Sequence, residues 1–170
     1  MVITKIEAQK KKGRYNIYLN DAFAFGVDEA TVVKYALFKG TELTKEQIEE
    51  IKHDDCIQQA YQKALHFLNF KLRSTKEVYE KLEKLEFDED IINEVLGKLH
   101  EQNFINDTFY AESYLNQAKF VTFKGPKSVI FDLQKKGISD KVIQTVLEGY
   151  TLKEQLENAI QIAQSYLKGQ

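Results

Sequence analysis

Hydrophobic and polar positions repeat along this chain in two patterns that stay in the same order. A short motif consists of an alanine, two variable residues, an aromatic residue and a leucine, and it begins at Ala64, Ala111 and Ala163. A longer helical pattern of seven apolar residues within 78–96 recurs 51 residues later within 129–147. Repetition at such a period is typical of stacked helical units that bury a continuous core. We therefore predict tandem three-helix units.

The predicted units follow one another without a linker. Residues 53–104 form the first three-helix unit, 105–150 the second, and 151–170 the first helix of an incomplete third unit. The short motif shifts by 47 residues between the first two units and the longer pattern by 51, so we place a four-residue insertion in a loop at 122–125. Because the third unit lacks its later helices, we expect a piece of a longer protein; the alternative is a capping half-unit.

Residues that begin and end helices support this division. Five of the predicted unit helices begin at a residue able to cap the N-terminus, and these are Ser74, Asp88, Asp107, Ser139 and Thr151. Ser74 and Thr151 are each followed three residues later by a glutamate, which completes a capping box. Pro126 suits a first helical turn, and Gly137 suits a helix end.

Residues 1–52 have a different period. Apolar residues alternate with polar ones over 15–19 and 23–27, which is typical of half-buried strands. Together with a strand at about 2–8 and turn residues between the strands, they predict a three-stranded antiparallel meander. A helix at 29–39 is expected to cover its apolar face, because three strands alone are marginal.

Two more helices are predicted before the first repeat is complete. One begins at the capping box of Thr44 and Gln47, and another runs over about 54–70. The predicted fold is therefore mainly α: tandem three-helix repeats in a right-handed type of array, preceded by the small N-terminal β-meander with its covering helix.

Composition narrows the class of protein. The chain has 170 residues, a single proline and 29% charged residues, which suits a helix-rich globular protein. No apolar run approaches the ~20 residues that span a bilayer, and the N-terminus lacks the layout of a secretory signal. Cys56 is the only cysteine, so an intramolecular disulfide is impossible and we expect a reducing cytoplasm. We also expect a monomer that does not contact membranes.

Charge is distributed unevenly, although the formal net charge is only −2. Acidic residues are absent from 56–76 and again from 113–131, and each segment runs from the first helix of a unit into the second. This recurrent position predicts a basic stripe along one edge; the alternative is a solvated face without a partner. The residues predicted to contact a protein partner or DNA are Lys63, Lys71, Arg73, Lys76, Lys119, Lys124 and Lys127.

The sequence contains no catalytic or metal-binding set, so we predict neither an enzyme nor a cofactor. His53, His66 and His100 lack the spacing of zinc ligands, and one cysteine cannot form a thiolate cluster. Residues 53–56, His-Asp-Asp-Cys, combine reactive side chains, but neighbouring helical residues point in different directions. We interpret this run as a helix cap followed by a buried thiol.

Three motifs in a fixed order carry a family resemblance. They are Phe67-Leu-x-Phe-Lys-x-Arg-Ser-x-x-Glu-Val78, then Phe104-Ile-Asn-Asp107 with Ala111 and Tyr114, then Lys124-Gly125 with Leu133 and Gly137-Ile138. Over about residues 57–170 the chain resembles the RecX family of recombination regulators, and the order of the motifs is more specific than any one of them. Val78 stands where leucine is common in the family. The meander is similar to the extension of longer, Gram-positive-type members.

The resemblance implies a regulatory protein rather than an enzyme. Members of the family bind the RecA recombinase, mostly as its filament on single-stranded DNA, and suppress its ATPase, filament growth and strand exchange. The resemblance thus implies the RecA filament as partner, with single-stranded DNA bound weakly or through the filament. Members usually carry the last repeat in full, whereas this sequence contains only its first helix.

One alternative belongs to another functional class. Three-helix units also occur in helix-turn-helix modules that bind duplex DNA in transcription. The third helices, which would enter the major groove, argue against this alternative. Residues 90–99 have an acidic polar side, and residues 140–147 are nearly neutral, so neither helix is suited to approach phosphates.

Overall fold

The computed structural model describes residues 1–169, and Gln170 lies outside the described residues. Its strands are β1 (Ile3–Ala8), β2 (Arg14–Leu19) and β3 (Ala22–Asp28). Its α-helices are α1 (Glu29–Lys34), α2 (Lys45–Leu68), α3 (Thr75–Lys84), α4 (Glu89–Glu101), α5 (Asp107–Gln117), α6 (Pro126–Lys135), α7 (Asp140–Leu147) and α8 (Leu152–Lys168). The predicted mainly α fold with an N-terminal three-stranded sheet is confirmed.

The strands form an antiparallel meander in the order β1-β2-β3. Ile17 pairs with Phe25 and both are buried, as the alternating pattern predicts. The next pair is Tyr18 with Phe23, so Ala24 is an extra residue in β3. This bulge reverses the side-chain phase, because successive residues of a strand face opposite sides. Phe23 is therefore 59% exposed and packs edge-on against Tyr18 instead of joining the core.

The covering helix of the sheet differs from the prediction. Helix α1 ends at Lys34 rather than at residue 39, and Val33 is 74% exposed. The apolar face of the sheet packs against Leu37 and Leu43, which follow α1, and against Ile48 and Ile51 of α2. Because no glycine or proline interrupts residues 45–68, the two helices predicted there are one continuous helix of 24 residues.

A buried carboxylate joins the sheet to the middle of α2. Asp55 is 3% exposed and accepts hydrogen bonds from the backbone N–H of Asp28 (2.8 Å) and from Gln59 Nε2 (2.7 Å). It also accepts a hydrogen bond from Thr31 Oγ1 (3.3 Å), and it pairs with the guanidinium of Arg14 at 3.3 Å. These partners satisfy a group that would be costly to bury alone, and they fix how the N-terminal region sits on the helix.

The two repeated patterns form two separate apolar cores. The first is built from α2, α3 and α4 around Leu82 and Leu99, and the second from α5, α6 and α7 around Leu133 and Ile143. All four side chains are essentially inaccessible to solvent. The positions that recur 51 residues apart are therefore core positions in both units, as the sequence pattern predicts.

Helix α8 carries the third copy of the short motif in a different environment. Ala64 and Ala111 are buried, whereas the motif leucine of α8, Leu167, is 68% exposed. Leu156 and Ile160 on the same helix are also exposed. Polar contacts attach α8 to the second unit instead, since Asn158 Nδ2 donates to the Tyr150 hydroxyl at 2.8 Å. None of the helices within residues 1–169 is long and apolar enough to cross a membrane.

The loop predicted at 122–125 is confirmed for residues 123–125, but it is preceded by helical structure that reaches Thr122. Residues Ala118–Thr122 form a π-helical turn that continues α5, and Phe123 then reverses the chain in a left-handed conformation (φ 56°). A π turn adds a residue to a helical turn without breaking the helix, so it can lengthen α5 while the core positions keep their faces. Pro126 then occupies the first turn of α6, as predicted.

Among the N-caps predicted within the helical units, Ser74, Ser139 and Thr151 are confirmed, Asp88 occupies the N-cap position without a side-chain hydrogen bond, and Asp107 is wrong. Ser74, Ser139 and Thr151 accept hydrogen bonds from backbone N–H groups in the first turns of their helices. Asp88 precedes α4 but makes no such bond. The cap of α5 is Asn106 and not Asp107. Asp107 Oδ1 instead accepts from the backbone N–H (2.8 Å) and hydroxyl (3.0 Å) of Thr75 at the start of α3.

Gly137 ends α6 in a left-handed conformation (φ 75°), and it also contacts the first unit. A Cβ atom at this position would lie 2.6 Å from Cβ of Lys76. We expect Gly137→Ala to lower the free energy of unfolding by about 1–3 kcal/mol, through backbone strain and this collision. Thermal or urea unfolding measures the change.

The equivalent residue 51 positions earlier provides a matched control for Gly137→Ala. Glu86 ends α3 with φ 67° but already has a side chain, and it is exposed. Glu86→Ala exchanges one strained L-residue for another, so we expect a change within about 0.5 kcal/mol. Equal losses in the two variants would show that the contact with Lys76 does not matter.

Candidate interaction surface

The predicted basic residues fall into two groups in the structure. Lys63, Lys71 and Lys127 are exposed, and within residues 1–169 they have no acidic partner within 4 Å. Their ammonium groups are therefore available to an external anion. The other four predicted residues make defined contacts inside the protein.

Lys119 and Lys124 stabilise the second unit. Lys119 Nζ lies 3.0 Å from Glu154 Oε2 and donates to the backbone carbonyl of Gly149, which links the π turn to α8. Lys124 Nζ lies 2.7 Å from Asp132 Oδ2 and contacts the Tyr114 hydroxyl. The hydrogen bonds from Lys124 and Tyr114 hold the pKa of Asp132 below its ordinary value. Of these two lysines, only Lys124 has a substantially exposed side chain, at 42%.

Arg73 and Lys76 lie where the two units meet. The guanidinium carbon of Arg73 is 3.9 Å from the ring centroid of Phe67, so the cation stacks on the aromatic face. Its Nε is buried without a hydrogen-bond partner among the described residues. Lys76 Nζ reaches the carbonyl of Lys135 at 3.4 Å, and its aliphatic stem packs against Gly137.

The contact between the units is polar. Glu77 Oε1 lies 2.7 Å from Lys136 Nζ, while the other carboxylate oxygen accepts from the backbone N–H of Ser74. The bond from Thr75 to Asp107 forms a second link across the same junction. Each unit thus has its own apolar core, and ionic and hydrogen-bonded contacts set the register between them.

The junction predicts a response to acid. Burial acts to raise the pKa of Glu77, but hydrogen bonds from Lys136 and from Ser74 outweigh it, so the pKa is lower than the ordinary 4.5. A carboxylate whose pKa is lowered in the folded state stabilises the fold above its unfolded pKa, and this contribution disappears as pH falls through the folded value. We therefore expect stability to decrease below about pH 4.5.

Glu77→Gln tests the origin of this response. The variant should be less stable at neutral pH, by on the order of 1 kcal/mol, and should lose less stability than the wild type on acidification. Urea unfolding at neutral and acidic pH measures both effects. Glu80→Gln removes an exposed carboxylate one turn away and should leave the acid response intact; an identical acid response in Glu77→Gln would refute the assignment.

One basic cluster was missed by the sequence reasoning. Lys10, Lys11 and Lys12 form the exposed tip of the β1–β2 hairpin, which the sequence identifies only as a turn. Lys11 lines a recess of about 370 Å³ together with Lys63 and His66 of α2. Three consecutive lysines were the available signal, but their proximity to α2 depends on how the meander packs.

The reactive residues at 53–56 do not converge. His53 pairs with Glu94 of α4, Asp54 with Lys34, and Asp55 with Arg14. Cys56 lies within helix α2 and is exposed, so the predicted cap and buried thiol are wrong. Partial desolvation and nearby carboxylates raise the pKa of its thiol, the opposite of what activates a nucleophile. No cluster of three or more metal-ligating residues occurs among residues 1–169.

The third helix of the first unit does not resemble a recognition helix for DNA. The exposed side of α4 carries Glu89, Asp90, Glu94 and Glu101, and its apolar side is buried in the first core. Carboxylates at these positions would repel duplex phosphates. The structure therefore agrees with the sequence argument against a helix-turn-helix mode of binding.

These features define a class: a helical-repeat protein with an N-terminal sheet, polar junctions between its units and exposed lysines. Comparison with known proteins identifies the family. Residues 1–44 match the family model described as the regulatory protein RecX N-terminal domain, and residues 60–99 match the RecX first three-helix domain. A solved structure described as "Crystal structure of regulatory protein RecX" is 36% identical, with a TM-score of 0.79 over 99% of this chain and 85% of that one. The chain belongs to the RecX family of regulatory proteins.

Further relatives give the same result. RecX from Lactobacillus salivarius, a solved structure, is 40% identical with a TM-score of 0.63, covering 66% of this chain and 73% of that one. Regulatory protein RecX of Leuconostoc mesenteroides is 45% identical over 161 residues, which is 95% of this chain. The one from Listeria welshimeri is 39% identical over 169 residues. The chain spans 60% and 63% of the lengths of these last two relatives.

Proposed function

We propose that this protein binds the RecA recombinase as its filament on single-stranded DNA, and that it mostly inhibits ATP hydrolysis, filament growth and strand exchange. The observation that supports this most is the likeness to a solved RecX over 99% of the chain, at 36% identity. It includes the N-terminal sheet as well as the helical units. The regulatory role then follows from the family rather than from a catalytic group.

The arrangement of the units suits a filament as partner. A filament offers the same surface repeatedly along its axis, and the chain presents two related three-helix units in series. Contacts from successive units add through a raised effective concentration, so each can be weak on its own. The polar junction would let the units adjust to the spacing of neighbouring protomers without exposing either core.

We propose that the exposed lysines form the contact and that the paired ones hold it in place. Lys63, Lys71 and Lys127 are exposed and carry unpaired charge among the described residues. Arg73, Lys76, Lys119 and Lys124 are tied to internal partners, so they would act mainly by fixing the positions of the units. Charge reversal at the second group would damage the fold as well as the contact.

The proposed function is tested by RecA ATP hydrolysis on single-stranded DNA. Increasing amounts of this protein should lower the steady-state rate in a saturable manner. The full-length relative from Leuconostoc mesenteroides serves as a reference, because this chain spans 60% of it. Unchanged hydrolysis and strand exchange, under conditions where the reference protein inhibits both, would contradict the proposal.

A pair of variants tests the proposed contact. Lys71→Glu with Lys127→Glu should weaken inhibition and reduce its dependence on salt, because two phosphate or carboxylate contacts are lost. Lys84→Glu with Lys141→Glu changes the net charge equally at exposed positions on α3 and α7. Equal weakening by the two pairs would indicate a general charge effect and contradict the assigned contact.

We also propose that the protein acts in the cytoplasm, as a monomer and without a cofactor. The support is the single cysteine, which suits a reducing compartment, and the lack of a metal-ligating cluster within residues 1–169. Sedimentation equilibrium at increasing concentration tests the monomeric state; a concentration-dependent rise in mass would contradict it.

A further inference from the structure

We propose that the β1–β2 hairpin and the facing surface of α2 form a binding site for single-stranded nucleic acid, which shares only Lys63 with the proposed contact between the helical units and the filament. The site consists of Lys10, Lys11 and Lys12 at the hairpin tip, Lys63 and His66 on α2, and the exposed ring of Phe70. It lies on the N-terminal region and does not require a recombinase.

The site carries unbalanced positive charge. Among residues 1–169, the three hairpin lysines and Lys63 have no acidic group within 4 Å. The neighbouring segment 56–76 of the chain contains no acid. One carboxylate, that of Asp28, lines the recess, where it pairs with Arg14 at 2.6 Å; Arg14 is shared with the buried Asp55, so one negative charge of this group remains against the lysines. The net charge of −2 for the whole chain makes this concentration of cations local.

The site is concave. The recess of about 370 Å³ lies between the hairpin and α2, and it brings Lys11 next to Lys63 although they are far apart in sequence. Gln59 and Gln62 line the same recess and add amide donors and acceptors. Cations on two walls of a recess can both contact the phosphates of a strand that passes between them. A flat anionic membrane would contact only the tip of the hairpin.

An aromatic side chain lies beside the cations. Phe70 is 70% exposed, and its ring stands edge-on to His66 with centroids 5.1 Å apart. His66 in turn lines the recess. A base can stack on an exposed ring while its phosphates meet lysines, which is the usual combination in proteins that bind single strands without reading sequence. An acidic protein surface would use the lysines but leave Phe70 without a role.

The test is fluorescence anisotropy with a labelled oligothymidylate and no recombinase, over a series of salt concentrations. The triple variant Lys10→Gln, Lys11→Gln and Lys12→Gln should weaken binding about tenfold or more at low salt. Its log–log salt slope should become shallower by about 2, since each lost phosphate contact on a single strand contributes about 0.7. Phe70→Leu should weaken binding about fivefold or more and leave the slope unchanged.

A matched control removes the same charge elsewhere. Lys84→Gln, Lys141→Gln and Lys153→Gln change exposed lysines on α3, α7 and α8, and this variant should bind within about twofold of the wild type. Equal weakening by both triple variants, or wild-type affinity in the hairpin variant, would overturn the site. Binding to phosphatidylglycerol vesicles without binding to the oligonucleotide would overturn it too and assign the hairpin to membranes.

Oligonucleotide binding and RecA hydrolysis together distinguish this site from the proposed regulation. Lys63→Gln provides a second variant on the opposite wall of the recess, so the oligonucleotide result does not depend on the hairpin alone. Because Lys63 also belongs to the proposed filament contact, RecA hydrolysis is compared only in the hairpin and Phe70 variants. Loss of oligonucleotide binding with full inhibition of RecA hydrolysis would support the site and leave the filament contact on the helical units. Intact oligonucleotide binding in all the site variants would overturn the site, whatever the hydrolysis assay shows.

Discussion

Replacing Asp55 by alanine is expected to lower the free energy of unfolding by about 3–5 kcal/mol. The carboxylate is 3% exposed and links Arg14, the Asp28 backbone and Thr31 to α2. Its removal leaves the N–H of Asp28 without its acceptor and part of the Arg14 charge without its partner. Such losses in a buried site cost more than those of a surface ion pair. Urea unfolding followed by circular dichroism measures the change.

Two further variants make the Asp55 result specific. Asp55→Asn keeps an oxygen that can accept from Asp28 but removes the charge, so we expect roughly half of the loss. Asp90→Ala removes an exposed carboxylate from the first turn of α4 and should cost no more than about 1 kcal/mol. A loss of less than about 1 kcal/mol in Asp55→Ala would show that the N-terminal region is not held by this carboxylate.

Leu133→Ala is the second substitution with a large expected effect on stability, and the loss should be confined to the second unit. Leu133 is fully buried in the second core, so truncation is expected to cost about 2–5 kcal/mol. The two units have separate cores and a polar junction, which allows the second to open while the first stays folded. Hydrogen exchange should therefore accelerate in α5, α6 and α7 much more than in α3 and α4.

The repeat supplies the reciprocal experiment. Leu82 occupies the equivalent position 51 residues earlier and is likewise fully buried. Leu82→Ala should cost a similar amount, but its exchange should accelerate in α2, α3 and α4 first. If either variant accelerates exchange equally in both units, the units unfold as one body and the junction is stronger than its contacts imply.

The repeated architecture was predictable because core positions are fixed by spacing. Val78 and Leu82 recur as Val129 and Leu133, and a buried helical face tolerates only apolar residues at such positions. The strands were predictable for the same reason, except where the bulge at Ala24 reverses the phase. The division of the chain at residues 52, 104 and 150 stays a prediction, since α2 serves both the sheet and the first unit.

Features that depend on packing were not predictable. Asp107 reads as a helix cap, but Asn106 takes that role and Asp107 bonds to Thr75 in the preceding unit. The sequence identifies Gly137 as a helix end, but the absence of a side chain there also leaves room for the side chain of Lys76. Both roles arise because the second unit packs against the start of α3, and the spacing of residues along one segment carries no information about such a contact.

The candidate surface likewise has features that the sequence predicts and features that depend on packing. The acid-free segments located cations correctly along the sequence, and Lys63, Lys71 and Lys127 are indeed exposed. The sequence did not show that Lys119 and Lys124 are paired with Glu154 and Asp132. Ion pairs across helices depend on side-chain geometry in three dimensions, so their effect on a charged stripe emerges only with the structure. The roles of all these lysines in binding stay predictions.

The most direct test of the central claim is co-sedimentation of this protein with RecA filaments assembled on single-stranded DNA. We expect saturable recovery in the pellet with filaments, and much less with free RecA. Binding should weaken as salt rises, because the proposed contact is basic. If the protein stays in the supernatant at every concentration, while the full-length relative pellets with the filaments, the account is contradicted.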